Sequence, residues 1–191
     1  STNGVSMFDG ENWTVYTIEN SGILDNHVMA IAQDSSGTMW FGTKKNGLSS
    51  FDGENWTNYT IQDSIDGWDN YRITALVVDQ KNNLWIGTEN GFGKFDGESW
   101  TFYETFYGPQ PGSTVSSIIT CLAVGLDNKL WIGHYYNSFY SGPTGISGYD
   151  GFDIQNFTWT NSALKSNFIH DIAVDKTGKV WFATGDQQGD H

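Results

Sequence analysis

A chain of 191 residues can bury one sizeable core, and 22 acidic against 9 basic side chains give it a formal net charge of −13. That balance repels phosphate backbones and anionic membrane surfaces, so neither nucleic-acid binding nor membrane insertion by this segment is expected. The absence of a long helical stripe, with 16% aromatic residues and 23 glycines between short apolar runs, excludes a helical bundle and favours an all-β fold.

The chain opens on Ser1-Thr2-Asn3-Gly4, without a signal-peptide pattern or any apolar stretch of membrane-spanning length. This start reads as a mature or cut terminus in the middle of a repeat. The segment NGVSMFDG at 3–10 recurs as NGLSSFDG at 46–53, NGFGKFDG at 90–97 and TGISGYDG at 144–151. Each is predicted to be a strand running into a tight Asp-Gly turn. Partner strands follow at Trp13 to Tyr16, Trp56 to Tyr59 and Trp100 to Tyr103, with a degenerate copy expected around Phe157 to Thr160.

A second pair of strands alternates with the first. Val28 to Gln33, Ile73 to Val78, Ile119 to Val124 and Ile169 to Val174 are almost continuously apolar, as strands covered on both faces are. Turns follow at Asp34 to Gly37, Asp79 to Asn82 and Asp175 to Gly178, while Gly125 to Asn128 departs from the pattern. Asp and Gly serve turn geometry there rather than metal chemistry. Next stand Trp40-Phe41-Gly42-Thr43, Trp85-Ile86-Gly87-Thr88, Trp131-Ile132-Gly133-His134 and Trp181-Phe182-Ala183-Thr184, with tryptophan spacings of 45, 46 and 50 residues.

Such a period identifies one supersecondary unit stacked several times, a β-propeller of four-stranded antiparallel blades. The chain reads as a single propeller domain or segment, 1–191. Full blades are expected at about 21–61, 62–104 and 105–160. Half-blades at 1–20 and 161–191 are complementary and, joined, make a fourth blade. Trp40, Trp85, Trp131 and Trp181 are expected at equivalent, largely buried sites. The single Cys121 has no partner for an internal disulfide, and on an apolar strand it is expected to be buried and inert.

The pattern I/V-x-x-I/L-x-x-D-x-x-G-x-L-W-I/F-G-T-x-x-G-L-x-x-F-D-G resembles the two-component regulator propeller repeat, most specifically in Trp-Ile-Gly-Thr-Glu-Asn-Gly at 85–91. The resemblance covers nearly the whole chain. It implies an extracytoplasmic, extracellular or periplasmic, ligand-binding propeller of the kind carried by bacterial hybrid sensor kinases. It also implies rings larger than the four blades found here, commonly of seven. The chain is then a small closed ring, a fragment with missing blades and sensor-kinase domains elsewhere, or part of a ring completed by a homo-oligomer partner.

Departures from the repeat point to function. Insertions fall at Asp63 to Tyr71, Thr105 to Ser117 and His134 to Thr144. Up-and-down strands put the four-to-one and two-to-three connections on one face, so all three insertions should crowd that face. They carry aromatic rings beside short polar groups, a mixture that suits a glycan or an extended peptide. Candidate ligand-binding residues are Trp68, Asp69, Tyr71, Arg72, Tyr107, His134, Tyr135, Tyr136 and Tyr140. The alternative is that these rings pack on one another as a cap. Arg72, the only arginine, either pairs with Asp66 or Asp69 or holds an anionic group.

No catalytic or metal-ligand set is expected. His27, His134, His170 and His191 lack ligand spacing, and Asp66, Asp69 and Asn70 match no defined Ca²⁺ loop, so no cofactor is expected. His170 and Asp171 are expected to line a central channel. A non-catalytic sensing module is the first reading. The alternatives are an assembly element whose open blade edges pair between chains, and a propeller lyase, which the Trp181 segment weakly resembles.

Overall fold

The structure, a computed structural model, describes residues 3–59, 72–89, 91–104, 118–135 and 145–185. A first hairpin pairs β1 (Val5–Phe8) with β2 (Trp13–Tyr16). Three four-stranded antiparallel sheets follow, each in chain order. The first holds β3 (Val28–Gln33), β4 (Met39–Thr43), β5 (Leu48–Phe51) and β6 (Trp56–Tyr59). The second holds β7 (Ile73–Val78), β8 (Leu84–Thr88), β9 (Gly91–Phe95) and β10 (Trp100–Glu104). The third holds β11 (Ile118–Val124), β12 (Leu130–Tyr135), β13 (Gly145–Tyr149) and β14 (Ile154–Phe157). A last hairpin pairs β15 (Phe168–Val174) with β16 (Val180–Gly185). These are propeller blades, and the fold is all-β as expected.

Blades meet through their first strands, with β3, β7, β11 and β15 packed in succession. The glycine of the Trp-x-Gly segment marks each joint. A Cβ added at Gly42 would lie 2.5 Å from Ile73, at Gly87 2.5 Å from Ile119, and at Gly133 2.9 Å from Ile169. Only a residue without a side chain admits the next blade that closely. In the last hairpin the same place is taken by Ala183, which is exposed.

The tryptophans fill the joints with aromatic clusters. Trp40 packs against Tyr59 of its own blade and Phe95 of the next; Trp85 packs likewise against Tyr103 and Tyr149. Both are 7% exposed. Trp131 meets Phe157 and Phe182 and is half-buried. Trp181 departs from expectation: it is 61% exposed, because none of the described strands packs beyond β16. The indole N–H of Trp40, Trp85 and Trp181 donates to Asp34, Asp79 and Asp175 at 2.9–3.0 Å, so these aspartates brace turn and strand. Hydrogen bonds from Thr177 and Trp181 hold the Asp175 carboxyl down at about 2.

Two further differences have clear causes. The fourth strand of the third blade lies at Ile154–Phe157, not around Phe157 to Thr160, because Tyr149 pairs with Ile154 as Phe95 pairs with Trp100. Trp159 is therefore outside the strand and exposed. The terminal half-blades, moreover, stay apart as separate two-stranded sheets, and Val5 of β1 packs instead with Ile23 and Phe41. Cys121 is buried as expected, and desolvation raises its thiol to about 11, which leaves it unreactive.

Candidate binding face

The connections that leave the second strands and those that enter the first strands adjoin on one face of the propeller. Lys44 N donates to His27 O and Gly145 N to Asn167 O, each at 3.0 Å. Asn46 Nδ2 donates to Leu24 O at 3.2 Å. The opposite face carries the tight turns, tied blade to blade where Asn82 accepts from Ser35 N and Asn128 from Gln80 N. Asn82 and Asn128 have φ of 66° and 63°, taking the left-handed place that Gly37 and Gly178 fill in other turns.

Strand register builds the rim of the connection face. Pairing of Ile73 with Thr88 sets Arg72 beside Glu89, and Ile118 pairs directly with Tyr135. Arg72 Nε lies 3.1 Å from Glu89 Oε1. Among the described residues its charged partner is Glu89, just past the second strand, whereas Asp66 and Asp69 lie outside the described residues. Tyr135, 44% exposed, meets Phe168 of the following hairpin edge-on at 5.4 Å. Phe168 went unnoticed in the sequence, although it stands at the same repeat position as Arg72.

His134 lies beneath this rim and is 1% exposed. Its Nε2 is 2.7 Å from Ser147 Oγ, whose hydroxyl donates in turn to Asn156 Oδ1. That chain makes His134 the Nε2–H donor. The first blade has the same Ser–Asn pair, Ser49 and Asn58 at 2.8 Å, with Leu24 N donating to Ser49. Burial holds the His134 imidazole neutral, with its pKa lowered to about 4. His134 is therefore an interior hydrogen-bonding group rather than a surface ligand.

Of the expected ligand residues, Arg72, His134 and Tyr135 are described. Trp68, Asp69, Tyr71, Tyr107, Tyr136 and Tyr140 lie outside the described residues. Among the described residues no group of three His, Cys, Asp or Glu side chains is placed to hold a metal. His170 and Asp171 are both exposed on β15.

The family described as two component regulator propeller matches residues 22–45, 67–90 and 163–186. The chain carries two-component regulator propeller repeats. The third complete blade is the one the family does not match, and it is also the blade with Gly125 in place of the turn aspartate and His134 in place of threonine. No curated protein matches the chain. Among solved structures, the extracellular domain of a putative hybrid two component system from B. thetaiotaomicron superposes with a TM-score of 0.74 at 19% identity. That match covers 96% of this chain and 24% of the other. A second such domain from B. thetaiotaomicron gives 0.71 at 21% identity, covering 96% and 23%. Virginiamycin B lyase from Staphylococcus aureus gives 0.69 at 19% identity, covering 95% and 56%. At these identities the likeness is one of fold, and the chain spans about a quarter of the sensor domains' length.

Proposed function

We propose that this chain is part of an extracytoplasmic, non-catalytic sensing propeller that holds a glycan or an extended peptide on its connection face. The supporting observation is the rim itself. Arg72–Glu89 supplies charge and Tyr135–Phe168 supplies aromatic surface, at the roots of all three aromatic insertions. An exposed ring offers a stacking plane, while the ion pair and neighbouring amides supply directional hydrogen bonds. Trp68, Asp69, Tyr71, Tyr107, Tyr136 and Tyr140 complete the site in this reading. The repeats and the B. thetaiotaomicron sensor domains favour an extracellular or periplasmic setting and a signalling partner further along the protein. The lyase shares the fold at 19% identity, and sensing is preferred because the two component regulator propeller model matches three segments of this chain.

The test is a glycan and peptide array, paired with thermal melts, on Trp68→Ala and Trp85→Ala. Trp68→Ala should weaken binding roughly tenfold or more and leave stability within about 1 kcal/mol. Trp85→Ala should lose stability and retain binding in what stays folded. If Trp68→Ala melts the fold as badly as Trp85→Ala, the insertions are a packing cap.

A further inference from the structure

Two four-to-one connections are described in full, 17–27 and 158–168, and they share one hydrogen-bond lattice. Thr17 N donates to Asn20 Oδ1 and Thr158 N to Asn161 Oδ1, each at 2.7 Å. Ile18 N donates to Asn26 Oδ1 and Trp159 N to Asn167 Oδ1, each at 2.8 Å. Ser21 Oγ closes on Thr17 O at 2.7 Å and Ser162 Oγ on Thr158 O at 2.6 Å. Side-chain amides and hydroxyls thus fix the backbone around positions 18 and 159. The loops differ at that position, with isoleucine in one and tryptophan in the other.

Exposure of the position belongs to the loop itself. Loop 17–27 enters a complete blade, and Ile18 is 53% exposed there. Loop 158–168 leaves a complete blade, and Trp159 is 63% exposed. Neither a preceding nor a following blade covers it. Trp13 and Trp181, the other exposed tryptophans among the described residues, are engaged: Trp13 stacks on Phe8, and the Trp181 indole donates to Asp175. Among the described residues the Trp159 ring meets no other ring. A large ring held open on a rigid loop is a stacking platform whose ordering cost is met before a ligand arrives.

The platform adjoins the rim. Gly145 N donates to Asn167 O and His134 pairs with Gly145, so the loop lies against the end of β12, where Tyr135 stands. Phe168, which ends the loop, meets the Tyr135 ring. One strand, β13, separates β12 from β14, so the strand ends leading to Tyr135 and Trp159 are roughly 10 Å apart.

We propose that Trp159 is a sugar-stacking platform that works with Tyr135 and Phe168 to hold a linear glycan across this part of the connection face. The inference rests on the ligand reading above and narrows its choice of glycan or peptide. Backbone N–H groups of Thr158, Trp159, Leu164 and Phe168 are taken up inside the loop, so an extended peptide finds no ladder to join. The loop presents instead an indole face beside exposed Thr160, Asn161 and Lys165, and it contains no carboxylate. An apolar face edged by hydroxyl, amide and ammonium groups suits a sugar ring.

The test is an array of linear hexasaccharides of glucose, mannose, xylose and galactose, with extended decapeptides alongside. It compares the unaltered chain with Trp159→Ala, Trp159→Phe and Ile18→Ala. The unaltered chain should retain at least one hexasaccharide, and Ile18→Ala should match it. Trp159→Ala should weaken that binding roughly tenfold or more, while Trp159→Phe stays within about threefold, because a smaller ring still stacks. All four proteins should melt together, since both positions are exposed. Glycan binding that Trp68→Ala abolishes and Trp159→Ala leaves intact would overturn the platform and spare the wider reading. A lower melting temperature in Trp159→Ala would make the ring a packing element and also overturn it. Retention of peptides in place of sugars would overturn the glycan assignment. Retention of neither class by the unaltered chain would overturn the inference together with the ligand reading beneath it.

Discussion

At the scale of single residues, His134 shows how a repeat position can be reassigned without disturbing the blade. Thr43 Oγ1 donates to Gly47 O and Thr88 Oγ1 to Gly91 O, closing the turn into the third strand. The imidazole at 134 instead reaches Ser147, and burial lowers its pKa from 6.5 to about 4. The native protein thus binds fewer protons than the unfolded chain between those values. Stability from this group is complete above pH 6.5 and declines as pH falls toward 4, by up to about 1.4 kcal/mol per unit. His134→Thr, restoring the residue of the other blades, should remove that share of the slope. Urea midpoints at pH 7, 6 and 5 for both proteins would show it, and parallel curves would mean that His134 titrates alike in the folded and unfolded chain.

At the scale of the element, a blade is stable because the next blade covers it. Trp85 sits in a four-ring cluster with Phe92, Tyr103 and Tyr149 that spans two blades, so Trp85→Ala should cost about 3–5 kcal/mol. Trp181 occupies the same strand position yet is exposed, and Trp181→Ala in dilute solution should fall within about 1 kcal/mol. Equal losses in denaturant melts would contradict this account. The contrast also marks what the sequence allows one to read. Strand positions, turns and the two faces were legible because glycine, aspartate and tryptophan recur in register. The exposure of Trp181 was not, since register assigns a strand and says nothing of what lies beyond it. The Arg72–Glu89 pair was available in principle, because pairing Ile73 with Thr88 makes neighbours of 72 and 89. It was missed in favour of acidic residues nearer in sequence. The interior place of His134 was half legible, since a histidine that ends a strand at the edge of an aromatic insertion suits either a surface position or a hydrogen-bonded structural one.

At the scale of the whole molecule, the succession of joints makes stability a sum over nearest neighbours. The core divides accordingly: one cluster joins the first and second complete blades, another the second and third, and another the third and the last hairpin. The first hairpin packs on the first complete blade through Val5, Ile23 and Phe41. Deleting residues 1–16 from an open arc of this kind removes one joint and leaves the others whole. Amide exchange should therefore quicken in β3–β6 while β7, β8, β11 and β12 keep their protection. A ring closed through β1 and β16 would behave differently, because losing the hairpin would free both edges and loosen β15–β16 at the far end of the chain. Hydrogen exchange read strand by strand on the truncated protein separates the cases. Protection lost in β15–β16 together with β3–β6, at concentrations too low for association, would replace the open arc with a closed four-bladed ring.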